Sequence, residues 1–576
     1  MSDPEPTQGA ERAPLALWAT FGLIVTLYLA HAKAYLFLND DAFISFRYAD
    51  HWARAGELVY NLGERVEGYT NFLWVALLSL VARLGGDIPT WGLWLGPLFG
   101  LINLIGSMWL AQRLMTSSPP CSSAPLSTRA LPLFASSLAG VLLATSPSFA
   151  CWSSGGLEVQ LFTSLLTLTL ILSLRAWSER RSLLGALAGL TGALMTMTRP
   201  EGLMFMGLLG LWRLRRVVMT PRWPRREEWL WAGLFLGAYL PYWLWRWQYY
   251  GHPLPNTYYV KTGAEGLWAP GGRYLLSWLR SEPWLSLWIA PLIAWRYSER
   301  SPDVSPSSHV DQQRDSSPRV SPLAGVGAVS ALWVLGLTLH VARVGGDFMA
   351  NHRFLVPVMP ICAAVLSAQL VNLLAGRLER SRWIAITGVL CIACALGSLA
   401  VERHTRAMSV GSDRGVDSIG WLRQFVVQCE HIGRWINMNT PPETRIATTA
   451  AGAIAYYSRR PTLDLLGLND EWVAHNVPAK GARPGHTKSA PLSYVLRWGV
   501  DLLIYHPVMS AQRPKAHRGF ERALSPRGYE WRVFEPPHLT PPYWGVWAKR
   551  ELTLPSTSTL PSSTPHPATS NSVSAP

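Results

Sequence analysis

Asn39-Asp40-Asp41-Ala42-Phe43-Ile44-Ser45-Phe46-Arg47-Tyr48 follows directly on a hydrophobic run over 15–37, and its reading decides the rest. Two adjacent carboxylates at the mouth of a membrane bundle are poor structural material. Ionisable groups near a bilayer are costly, so they face a wet cavity and work there. Gly63-Glu64-Arg65-Val66-Glu67-Gly68-Tyr69-Thr70-Asn71 comes next and leads into another apolar stretch. Acids, an Arg, aromatics and turn residues in that mixture suit a sugar-handling site at a membrane surface.

The 576 residues are 49% hydrophobic and 15% charged, which argues against a string of soluble domains. Apolar runs of bilayer length recur through the first 400 positions. Spans are expected at 15–37, 71–84, 91–112, 128–148, 157–176, 182–198, 202–214, 228–247, 283–296, 322–342, 354–375 and 383–400. The fold class expected is a membrane all-α multi-span bundle of about 11–13 helices, with a C-terminal α/β domain. The 29 Trp suit aromatic belts at the two interfaces.

The net charge of +15 is not a nucleic-acid signature, because the basic residues cluster in short loops between spans. Ser178-Glu179-Arg180-Arg181, Arg213-Leu214-Arg215-Arg216, Arg222 with Arg225-Arg226, and Gly376 to Arg380 are such loops, and the positive-inside rule places them in the cytoplasm. Segments 149–157, 199–201, 246–281, 343–353 and everything after about 400 then lie outside. The alternation does not close: between the Asp40/Asp41 loop and Gly155-Gly156-Leu157-Glu158 there is one crossing too many or too few. The first span reads as an uncleaved signal anchor. The six Cys form no disulfide framework, and Cys391-Ile392-Ala393-Cys394 reads as packing within an apolar span.

Residues 1–14 read as disordered, 15–400 as the membrane module with its catalytic first loop at 38–70, 401–551 as the exterior domain and 552–576 as a Ser/Thr/Pro tail. Ser/Pro-rich loops are expected near 116–128 and at 299–321. In the exterior domain an amphipathic helix from Ile419 to Met438 is stopped by Thr440-Pro441-Pro442. Strands are expected at Arg445–Thr449, Thr462–Gly467 and Val500–Tyr505, with a turn and helix at Ala450–Tyr457.

Polar clusters from distant parts of the chain fall on the same face: Asp40, Asp41 and Arg47; Glu67; Glu158; Arg199 and Glu201; Asn256, Tyr258 and Lys261; Asp347, His352 and Arg353. Such a cavity suits glycosyl transfer from a lipid-linked sugar phosphate. Asp40 or Asp41 would take the acceptor hydroxyl's proton. The other carboxylate would orient the acceptor, pair with Arg47 or hold a divalent cation. Arg199, Lys261, His352 and Arg353 are candidates for the donor phosphate, whose charge needs cations placed in advance. Arg47, Glu67, Glu158, Glu201, Asn256, Tyr258 and Asp347 are candidates for substrate binding. No zinc-ligand spacing, phosphate-binding Gly-rich loop or nucleophile elbow is present.

At these residues the sequence resembles a known family. Asp40 to Tyr48, Leu58-Val59-Tyr60-Asn61 and Gly63 to Asn71 look like the opening of the terminal arabinofuranosyltransferase-like membrane glycosyltransferases. Thr198-Arg199-Pro200-Glu201-Gly202, Pro255-Asn256-Thr257-Tyr258 with Lys261, Gly345-Gly346-Asp347-Phe348-Met349 with Arg353-Phe354, and Gly467-Leu468-Asn469-Asp470 fit it too. The resemblance covers about residues 15–510. It implies a GT-C fold, a catalytic Asp in the first exterior loop, and a periplasmic C-terminal domain on a multi-pass protein of the bacterial inner membrane. It also implies a polyprenyl-phosphate sugar donor, decaprenylphosphoryl arabinofuranose in the best-known branch, and a cell-envelope glycan, glycolipid or protein acceptor. The family's Gly-Leu-Glu-Thr motif is here Gly156-Leu157-Glu158-Val159, one hydroxyl fewer, which leaves the sugar open. The rival readings are a flippase or transporter of lipid-linked sugars, which inverted repeats would support, and a non-catalytic envelope-binding protein.

Overall fold

The computed structural model describes residues 9–116, 131–220, 222–262, 266–288, 322–378, 382–413, 415–480, 483 and 485–555. Residues 1–8 and 556–576 of the expected disordered ends, the Ser/Pro loops near 116–128 and 299–321, and most of the span at 283–296 lie outside those residues, while 9–14, expected to be disordered, form the start of the first helix.

The membrane module is helical: α1 (Gly9–Tyr35), α2 (Asp40–Arg54), α3 (Phe72–Arg83), α4 (Ile88–Thr116), α5 (Leu131–Ala144), α6 (Pro147–Cys151), α7 (Val159–Glu179), α8 (Ser182–Thr198), α9 (Gly202–Met219) and α10 (Arg226–Tyr250) come first. Then follow α11 (Asn256–Lys261), α12 (Trp268–Ser281), α13 (Pro322–Val344), α14 (Met359–Leu378) and α15 (Arg382–Met408). Among the described residues, four helical stretches are both long and apolar enough to cross a bilayer: Ile88–Met115, Val159–Glu179, Gly325–Val344 and Arg353–Ala375. The protein is a multi-pass membrane protein.

Close helix packing follows from small residues. On α8, a Cβ on Gly185 would sit 2.3 Å from Glu227 O, and one on Gly189 2.3 Å from Trp231 O. The four-residue spacing puts both on one face, where α10's backbone comes in.

The expected span at 71–84 is not a crossing. α3 has 12 residues, about 18 Å of helix against the ~30 Å a bilayer core requires, and it packs on α2.

The C-terminal domain carries α16 (Ile419–Asn439), capped by Ser418 Oγ and ended before Pro441, and a five-stranded sheet of order β4-β3-β5-β7-β6. Its strands are β3 (Ile446–Thr448), β4 (Thr462–Asp464), β5 (Leu502–Ser510), β6 (Tyr529–Phe534) and β7 (Tyr543–Lys549); a small hairpin of β1 (Ser412–Asp413) and β2 (Val416–Asp417) precedes them. β4, β3 and β5 are parallel, and β7 and β6 are added antiparallel. Short helices α17 (Ala453–Ser458), α18 (Glu471–Asn476), α19 (Leu492–Trp498) and α20 (Arg518–Leu524) complete the layer.

The sheet divides two cores by strand alternation. Ile446, Leu502, Ile504, Val546 and Ala548 join the core that runs through the membrane module. Ala447, Leu463, Leu503 and Trp547 join a separate one with Val473 and Val495. On the module side Phe43 of α2 packs against Tyr456 and Tyr457, with ring centroids 5.6 and 5.4 Å apart. The C-terminal domain therefore shares its core with the first loop.

Candidate active site

α2 starts where Asn39 Oδ1 accepts the Ala42 N–H at 3.0 Å. Asp40 and Asp41 fill its first turn, where the helix dipole favours carboxylates. Successive helical residues project about 100° apart, so the two acids face different ways. Asp40 turns to the C-terminal domain: its Oδ2 accepts the Gly452 N–H at 3.1 Å and its Oδ1 the Ala453 N–H at 2.8 Å. Burial pushes its carboxyl up to about 6, with the Ala453 N–H opposing. Asp41 keeps 36% of its side chain exposed and faces Arg353, whose Nη1 is 3.8 Å from its Oδ2.

Around Asp41 lies a ring of charge drawn from four other segments. Asp347 Oδ2 is 2.5 Å from Arg353 Nε, and its Oδ1 accepts from Nη2 at 3.3 Å. Burial raises the Asp347 carboxyl and Arg353 opposes that rise. Arg353 also lies over the Trp152 and Phe354 rings, 5.7 and 5.0 Å from their centroids. Arg199 donates to Glu158 Oε1 at 3.0 Å and to both Glu201 oxygens at 3.0 and 3.4 Å. Lys261, at the end of α11, lies in the electrostatic field of Arg353, Asp41, Asp347 and Glu201. Its surface is exposed, yet crowding by protein, with Arg353 adding to it, pushes the ammonium's pKa down. Lys261 forms no ion pair within the described residues.

Turn chemistry sets this geometry. Gly155 and Gly156 both have positive φ, and Gly155 is bonded into the first loop: its N–H donates to Phe37 O at 2.8 Å and its C=O accepts the Asn39 N–H at 3.3 Å. Glu158 is thereby brought beside α2. Asn351 and His352 both adopt left-handed backbone, φ 62 and 53, a conformation costly for non-glycine residues, immediately before Arg353.

Several of the expected site residues are committed elsewhere. Arg47 is buried under the Tyr60 ring and donates to Tyr60 O (2.6 Å), Ala455 O, Asn61 Oδ1 (3.2 Å) and Arg460 O (2.8 Å). That leaves one of its five N–H groups uncommitted, so it fastens the first loop to the C-terminal domain. Glu67 is buried 3.5 Å from Arg246 Nε, and burial lifts its carboxyl to about 8 against the pull of Arg246. Asn256 donates its amide to Gly467 O and Leu468 O at 2.8 and 2.9 Å, another fastening to the C-terminal domain. His352 is buried against Tyr274, with Nε2 3.1 Å from Ser277 Oγ. Burial pushes its pKa down to about 3, so it is neutral and supplies no charge to a phosphate. Tyr258 stands half exposed beside Tyr259.

Other residues of the site belong to the motifs quoted from the sequence but carry no expected role there. Asn71 donates to Glu158 Oε2 at 2.8 Å and exchanges hydrogen bonds with Ser45. Tyr60 OH donates to Ala451 O, and Asn61 bonds both N–H and C=O of Thr462. Asn71 ends a quoted motif just before an apolar run, which was a readable signal; the partners of Tyr60 and Asn61 lie about 400 residues away and had none.

The donor set does not fit a divalent cation at the acidic pair. Both Asp40 oxygens take backbone N–H bonds, and Asp41 faces Arg353 and Lys261, whose charge opposes a cation.

A family model described as a domain of unknown function (DUF8728) matches residues 421–554. A terminal beta-(1->2)-arabinofuranosyltransferase from Mycobacterium tuberculosis is 28% identical over 366 residues, 61% of this chain and 55% of the relative. One of the same name from Corynebacterium glutamicum is 26% identical over 386 residues, 59% and 51%. The chain thus spans about half the length of the curated relatives it matches. The crystal structure of ArnT from Cupriavidus metallidurans in the apo state superposes with a TM-score of 0.55 at 12% identity, covering 92% of this chain and 98% of that one. The chain is a multi-helix membrane protein with a C-terminal α/β domain, has a fold like that of ArnT, and is similar in sequence to the terminal arabinofuranosyltransferases.

Proposed function

We propose that the protein is an inverting membrane glycosyltransferase that takes a sugar from a polyprenyl-phosphate donor. Asp41 is the general base and Lys261 the principal cation at the donor phosphate. The observation that carries this reading is the pattern of commitments in the charge ring. Arg199 is held by Glu158 and Glu201, and Arg353 by Asp347; Asp41 and Lys261 alone are solvent-accessible and have no partner closer than 3.8 Å among the described residues.

The acceptor hydroxyl gives its proton to Asp41 as its oxygen bonds to the anomeric carbon. The bond from that carbon to the phosphate oxygen breaks on the opposite face, and the leaving phosphate's charge falls to Lys261 and Arg353. Arg199 sits beside them as part of a fixed ion triad and holds Glu158 and Glu201 at hydrogen-bonding positions for sugar hydroxyls. The names of the two relatives support arabinofuranose as the first donor sugar to test and an envelope glycan as the first acceptor. The basic loops at the opposite ends of α7, α9 and α10 support an extracytoplasmic site at the inner membrane.

The test is transfer by purified protein from a panel of polyprenyl-phosphate sugars to delipidated envelope extract, with polyprenyl phosphate release followed. Release by wild type and not by Asp41→Asn is expected. No release from any donor by folded wild type refutes the reading.

A further inference from the structure

Away from the charge ring, at the junction between the loop after α10 and the C-terminal domain, His252, Glu471 and His475 come together. Their ligand atoms all lie within 4.8 Å of one another. Glu471 and His475 are four apart on α18 and so share a face; His252 arrives from the other segment. His252 Nε2 is 2.8 Å from Glu471 Oε1, and the two imidazoles stack with centroids 4.8 Å apart. Tyr259 backs the group, 4.3 Å from the His475 ring and 5.8 Å from that of His252.

We propose that these three side chains bind one divalent transition-metal ion, zinc by ligand type, and so clasp the loop that carries Lys261 to the C-terminal domain. Two imidazoles and a carboxylate with a fourth position open to water are a three-ligand zinc set. Calcium and magnesium are disfavoured, since two of the three ligands are nitrogen. Ligands of a tetrahedral zinc at ~2.0–2.1 Å lie roughly 3.3 Å apart, so side-chain rotations of about 1 Å suffice, and these side chains are free enough of packing to make them. A His252–Glu471 hydrogen bond alone does not require a second imidazole at His475 with a ring nitrogen within 4.8 Å of the same carboxylate.

The position gives the ion a task. Carbonyls of Gly467, Leu468 and Asp470, just before α18, already accept from the Asn256 amide, and Asn256 opens α11, which ends at Lys261. A metal across His252 and α18 would close the other side of the same junction, and α11 would be held from both.

Full-length protein in detergent is stripped with EDTA, exchanged free of chelator and titrated with ZnCl2 by calorimetry. Co2+ is then added to a second sample to read its visible absorption. Wild type should bind one ion per chain with a Kd below about 1 µM, show cobalt bands of tetrahedral intensity, and melt at a higher temperature with zinc. His252→Ala and His475→Ala, on different segments, should each weaken binding at least about a hundredfold and lose the thermal shift. Should either variant elute as an aggregate, His252→Asn or His475→Gln takes its place. Wild-type binding weaker than about 100 µM, or unchanged affinity in either histidine variant, overturns the proposal.

Discussion

Gly452→Ala should inactivate the protein from the C-terminal domain. The residue's φ is −90, so alanine meets no left-handed backbone there, and crowding dominates. A Cβ at this position would lie 1.8 Å from Asp40 O, 2.7 Å from Asp40 C and 2.8 Å from Asp40 Cγ. Two of those atoms are backbone and cannot swing away. Restoring an ordinary contact requires α17 and the start of α2 to part by about 1.5 Å, which breaks one or both N–H bonds to Asp40 and moves Asp41, the next residue. Overpacking of this kind costs ~1–3 kcal/mol of stability, and a misplacement of ~1 Å at a reacting group costs about 10²-fold in rate. In the polyprenyl phosphate release assay, kcat should fall about 10²-fold, while donor KM stays within about threefold because Asn256 fastens α11 separately. Gly272→Ala, where a Cβ meets nothing within 4 Å, is the control. A Gly452→Ala protein with kcat within threefold of wild type would refute the claim that this domain positions the catalytic helix.

Three more outcomes follow from the geometry. Arg47→Met leaves four acceptors without their buried charged donor; a loss of ~3–5 kcal/mol should lower the melting temperature by roughly 10 °C and open the C-terminal domain to limited proteolysis. Lys261→Gln should weaken inhibition by the product polyprenyl phosphate about 10–100-fold, the worth of one charged hydrogen bond, with little change in melting temperature. Asp40 titrates near 6 when folded, above its ordinary value. The stability linked to it is therefore full below about pH 4 and lost as pH rises through 6, so the thermal advantage of wild type over Asp40→Asn should shrink between pH 4.5 and 7. A constant difference across that range would contradict the burial of Asp40.

Much of this was legible in the chain because local physics wrote it. Ser418, an amphipathic run and Thr440-Pro441-Pro442 marked α16 at both ends, and the short apolar runs at 446–448, 462–464 and 502–505 became strands. The alternation in Tyr529-Glu530-Trp531-Arg532-Val533 is a strand signal that forms β6, beyond the three strands expected. Charge blocks from five loops did converge on Asp41. Hydropathy failed at α3, because a 12-residue apolar helix buried on α2 has the same composition as a short span. The roles of Arg47, Asn256 and His352 were hidden for a different reason. A charged or polar residue looks the same in sequence whether it faces a ligand or a backbone carbonyl 400 residues away, and only the fold says which.

The most direct test compares Asp41→Asn with Asp40→Asn in the reconstituted transfer assay, with both shown to be folded. General-base catalysis is worth about 10²–10⁴-fold. Asp41→Asn should therefore lose at least a hundredfold in kcat at unchanged donor KM, while Asp40→Asn, which keeps one acceptor oxygen for the C-terminal domain, should lose about tenfold. An Asp41→Asn protein that retains wild-type kcat while Asp40→Asn is inactive would contradict the assignment and move the base to Asp40.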